Sequence, residues 1–87
     1  MNHFTTCISI ENGNATDKDL LRRYFYADPK IGVAEFRSSN SKNRLEIELR
    51  SAVKIGLEDF SRAVSHAVTQ TSAATRFFII REKRNVS

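Results

Sequence analysis

Residues 43 to 50, Asn-Arg-Leu-Glu-Ile-Glu-Leu-Arg, alternate polar and apolar side chains without a break. A period of two places Leu45, Ile47 and Leu49 on one side of an extended chain and Arg44, Glu46, Glu48 and Arg50 on the other. Such a segment has to be a strand with one covered and one uncovered face. The same period recurs in residues 4 to 10, where Phe4, Thr6, Ile8 and Ile10 share a side opposite Thr5, Cys7 and Ser9. Two half-covered strands need a layer of helix to cover them.

The spacing between them supplies it. Glu11-Asn12-Gly13-Asn14 reads as a turn. Thr16, three residues ahead of Asp19 and just before Leu20-Leu21, reads as the N-cap of a first helix. Leu21, Tyr24 and Phe25 share its buried stripe, Arg22 and Arg23 face water, and Pro29 ends it. Residues 31 to 38 read as a second strand whose facing is ambiguous, with Gly32 as a candidate bulge. The all-polar run 38 to 43 is expected to be a mobile hairpin loop. Leu57, Phe60, Val64, Ala67 and Val68 recur at helical spacing, and the second helix begins either at Ser51 or near Gly56. Arg76-Phe77-Phe78-Ile79-Ile80-Arg81 reads as a last strand, apolar on both sides. Of the pairs Phe77 with Ile79 and Phe78 with Ile80, one must point away from the helices.

Strand, helix, strand, strand, helix, strand in 87 residues closes most readily as an α+β domain. The arrangement expected is the ferredoxin-like βαββαβ, a four-stranded antiparallel sheet with two helices packed on one face. The chain resembles that superfold in element order over nearly its full length, with no family motif to narrow it. A single domain over residues 1 to 87 is expected, with a short basic tail at about 82 to 87.

Charge and composition restrict function further. The net charge of +4 is concentrated at one end, for residues 1 to 75 carry 10 Lys+Arg against 9 Asp+Glu, and residues 76 to 87 carry four against one. With 40% apolar residues, 28% charged and no 18-residue apolar run, neither a membrane segment nor a secretory signal is expected, which makes the cytoplasm the default location. The single Cys7 fits a reducing compartment. His3, His66 and Cys7 lack the spacing of a zinc site, Gly13, Gly32 and Gly56 form no phosphate loop, and no metal or cofactor is expected.

RNA-recognition modules of this topology stack bases on aromatics of the two central strands. Here those positions are Thr5, Cys7, Ser9, Arg44, Glu46, Glu48 and Arg50, so base stacking on the sheet is not expected. The leading expectation is a small non-catalytic module that binds a protein partner, in the size class of phage- or plasmid-borne inhibitors and regulators, with a homodimer through the sheet as one form. Arg44, Glu46, Glu48, Arg50 and Phe78 are its candidate partner-binding residues. The alternative is a nucleic-acid binder or weak nuclease using Arg37, Arg81, Lys83 and Arg84 on phosphates. In size and element order the chain is similar to the CRISPR adaptation nucleases and to a ribonuclease-type antitoxin. That likeness would make Glu11, at the end of the first strand, the acidic site residue, although the adaptation nucleases carry aspartate there.

Overall fold

A computed structural model describes residues 3 to 69 and 77 to 83. The elements run β1 (Phe4–Glu11), α1 (Ala15–Ala27), β2 (Val33–Ser41), β3 (Arg44–Ser51), α2 (Leu57–Ala63), a π-helical continuation (Val64–Thr69) and β4 (Ile79–Lys83). The strands form one open antiparallel sheet in the order β2-β3-β1-β4. The architecture is thus a small α+β fold. Its second helix is seven residues long and widens into the π-helical segment instead of running on as a regular helix.

One sheet face and the two helices enclose the core. Ile8 and Ile10 of β1 and Leu45, Ile47 and Leu49 of β3 are buried against Leu21 and Phe25 of α1, Phe60 and Ala63 of α2, and Val64 and Val68 beyond it. The alternation of β1 and β3 therefore orients both strands as their sequence demands. Phe4 is the exception on that side, being exposed at the first position of β1. The Phe25 and Phe60 rings lie 4.8 Å apart at 49°, joining the two helices.

Four boundaries differ from the sequence reading, each for a local reason. The N-cap of α1 is Asn14, not Thr16: its side chain accepts the Asp17 N–H and the Asp17 carboxylate accepts the Asn14 N–H, both at 2.9 Å. The left-handed Asn12 (φ 68°) closes the preceding turn early enough for Asn14 to take the extended conformation a cap needs. Strand β2 starts at Val33, because Gly32 has φ +62° and the Ile31 carbonyl is already accepting from Ala52 and Val53. The bulge lies between Val33 and Glu35, one position beyond the glycine.

The supposed loop at 38 to 43 is mostly strand. β2 pairs with β3 through Ser41, and Lys42 and Asn43, both at positive φ, make a two-residue hairpin turn. Its outer half is polar because no helix covers it: Ser38 and Asn40 lie on the helix side of the sheet yet are exposed. Finally, β4 begins at Ile79, so Glu82 and Lys83 are strand residues and not tail. Arg76, Arg84 and the remainder of the expected tail lie outside the described residues.

Candidate functional site

The register assembles the uncovered face of the sheet as four cross-strand rows. Glu35, Arg50 and Thr5 form the first; Arg37, Glu48, Cys7 and Lys83 the second; Ser39, Glu46, Ser9 and Arg81 the third; Ser41, Arg44, Glu11 and Ile79 the fourth. The Arg-Glu-Glu-Arg stripe of β3 is thereby matched on its flanks. Arg50 stands opposite Glu35, Glu48 opposite Arg37, and Arg44 opposite Glu11. Unlike charges opposite each other on one sheet face attract by roughly 0.2–1 kcal/mol, and less when exposed.

Two ion pairs hold part of this lattice in place. Lys83 Nζ reaches over β1 to Glu46 Oε2 at 3.0 Å, and Arg37 pairs with Glu35 two residues back on its own strand. Ser9 is buried although it lies on the open face between Glu46 and Arg81. Glu46 and Glu48 are half-buried, whereas Arg44 and Arg50 extend into water. Burial on this face is greatest at its centre.

Cys7 occupies that centre, opposite Glu48 on one side and Lys83 on the other. Partial burial pushes its thiol above the usual range, the Glu48 carboxylate adds to the rise, and the Lys83 ammonium opposes it. That is the reverse of an activated nucleophile, which needs a lowered pKa. His3 and His66 are both exposed. Glu11 is half-buried at the end of β1, between Arg44 and Ile79 in its row, and among the described residues no group of three His, Cys, Asp or Glu side chains is placed to hold a metal ion.

The remaining candidates separate. Phe78 packs half-buried against the core together with Ile80, on the helix side. It is Phe77 that is 84% exposed and Ile79 that is 46% exposed, so the outward apolar pair is Phe77 and Ile79. Asn12 fixes this corner. Its side-chain amide donates to the Phe77 carbonyl at 3.0 Å, and its backbone N–H donates to the carbonyl of Asn43 in the hairpin turn. Arg37, Arg81 and Lys83 all lie on the open face, with Arg37 and Lys83 engaged by carboxylates.

The sequence reading lacked Glu35 and the outward placement of Phe77. The Val33/Glu35 bulge resets the parity of β2 and cannot be inferred from alternation. Phe77 was distinguishable from Phe78 only once the pairing of Ile79 with Glu11 was known.

No protein-family model matches the chain, and no curated protein and no solved structure matches it either. No helix among the described residues is long and apolar enough to cross a membrane.

Proposed function

We propose that this chain is a non-catalytic protein-interaction module, built as a variant of the ferredoxin-like sheet and presenting its open face to a protein partner. The observation that carries this reading is the outward Phe77 and Ile79 at one corner of a face whose charges are ordered by register and by the Glu46–Lys83 pair. An exposed aromatic is the residue type that anchors interfaces, and alternating charge beside it favours one partner geometry over others. A partner with its own mixed charges fits this face better than a uniformly anionic one. Arg37 and Lys83 already face carboxylates, and Glu48 stands between them in the same row. For this reason the nucleic-acid alternative, through Arg37, Arg81, Lys83 and Arg84, has less support.

The test is affinity purification of the tagged chain from its native host, with and without nuclease treatment, beside two variants. Phe77→Ser and the double variant Glu46→Lys with Glu48→Lys should each lose a stoichiometric protein partner that survives nuclease. Retention of that partner by both variants would move the interface off this face. Recovery of nucleic acid alone, released by moderate salt, would replace the proposal with the alternative.

A further inference from the structure

The two outer strands of the sheet, β2 and β4, are protected unequally against further pairing. β4 is five residues long and carries Arg81, Glu82 and Lys83, whereas β2 is nine residues long and has neither lysine nor proline. Short length, charge and proline are the usual protections of a sheet edge, because an outer strand displays a row of unpaired N–H and C=O groups. From Glu35 to Ser41 the register of β2 with β3 is unbroken, and Ser38 to Ser41 are exposed.

The hairpin turn fixes which groups this edge displays. Residues flanking a two-residue turn exchange both of their hydrogen bonds, and cross-strand pairs alternate from there between bonded and non-bonded. By that alternation Ser41, Ser39 and Arg37 direct their backbone groups toward β3, while Phe36, Ser38 and Asn40 direct theirs away from the sheet. The Asn12 N–H, which donates to the Asn43 carbonyl on the other side of β3, keeps the same alternation.

Two copies of such an edge can pair antiparallel about a two-fold axis, and charge and ladder length select the register. Centred on Arg37, the two guanidiniums would stand opposite each other. Centred on Phe36, the ladder would run into the bulge between Val33 and Glu35. Centred on Ser38, the whole run from Glu35 to Ser41 pairs. Arg37 then faces the partner's Ser39, behind which the partner's Glu46 stands in the same row. Glu35 faces the partner's Ser41, behind which stands the partner's Arg44. Each charge thus meets its opposite across one small serine. The span is one strand, which Lys83 already bridges within the chain when it crosses β1 to Glu46 at 3.0 Å.

We infer that β2 pairs antiparallel with β2 of a second copy of this chain, with Ser38 on the two-fold axis, joining the two sheets into one. The contact uses an edge, so the open face with Phe77 and Ile79 stays uncovered on both copies. Either proposal can fail without the other.

Sedimentation equilibrium of the full chain, from micromolar to millimolar concentration, should approach twice the chain mass. Ser38→Lys, at an exposed position, sets two ammoniums opposite each other across the axis and should weaken association about tenfold or more. Ser38→Pro removes an outward N–H and no bond to β3, and should weaken it likewise. Phe77→Ser should leave it unchanged. In a sample mixing isotope-labelled with unlabelled chains, the α-protons of Arg37 and the partner's Ser39 should show an intermolecular Overhauser effect, since they form the close, non-bonded pair beside the axis. A mass of one chain at every concentration, association indifferent to both Ser38 variants, or its loss in Phe77→Ser would each overturn the assignment. An Overhauser effect from Arg37 to the partner's Glu35 in place of Ser39 would overturn the register.

Discussion

Cys7 sits where burial and neighbouring charge displace its titration. Its thiol is displaced upward by burial and by Glu48, against Lys83. The folded chain consequently keeps this proton to higher pH than the unfolded chain does, so the stability it contributes is present below the unfolded thiol pKa and is lost as pH rises through the folded one. Alkylation by iodoacetamide should follow a pH profile displaced to the alkaline side of free cysteine. Glu48→Gln should move the profile down and Lys83→Ala up; identical profiles for all three proteins would mean that the thiol does not sense this face. Gly13 is constrained by space instead. A Cβ there would lie 2.7 Å from the Leu45 Cβ, which is fixed by the central strand, and 3.4 Å from Ile10. Gly13→Ala should therefore cost about 1–3 kcal/mol by overpacking, read as a fall in the urea midpoint.

At the scale of elements, helix α1 shows how a local signal is misplaced by a small shift. Thr16 with Asp19 and Asn14 with Asp17 are both plausible capping pairs in sequence, and the chain chooses the second because the turn at Asn12 is complete two residues sooner. Asn14→Ala should lower stability by about 0.5–2 kcal/mol in thermal or urea unfolding, whereas Thr16→Ala should change little. Equal losses in the two would contradict the cap assignment. Strands β1 and β3 were legible because each has one dry and one wet face along most of its length. In β2 the bulge at Val33/Glu35 and the overhanging outer half broke that correspondence, so Ser38, Ser39, Asn40 and Ser41 resembled a loop while forming ladder pairs. The candidate face was legible to the same degree. Its β1 and β3 rows could be written from alternation, but the flanking Glu35, Arg37, Ile79 and Lys83 acquire their places only from long-range pairing.

The whole molecule is a thin structure, one sheet under one helical layer, whose core gathers around Phe25 and Phe60. In a domain of this size total stability is expected to be roughly 5–10 kcal/mol, so one large cavity removes a substantial part of it. Phe60→Ala, which deletes a fully buried ring at the junction of α2, α1 and the sheet, should cost about 3–5 kcal/mol. Phe77 is the same residue type in the opposite situation, with only 16% of its surface covered if 84% is exposed. Phe77→Ser should accordingly leave the unfolding midpoint within about 0.5 kcal/mol of the parent, as surface changes generally do. The comparison bears directly on the proposed interface. A ring that contributes nothing to the isolated fold is available to a partner, and Phe60→Ala supplies the scale against which that absence is measured. A loss at Phe77 approaching the loss at Phe60 would mean that the ring packs within the chain, and the open face would then have to bind through Ile79 and its ordered charges alone.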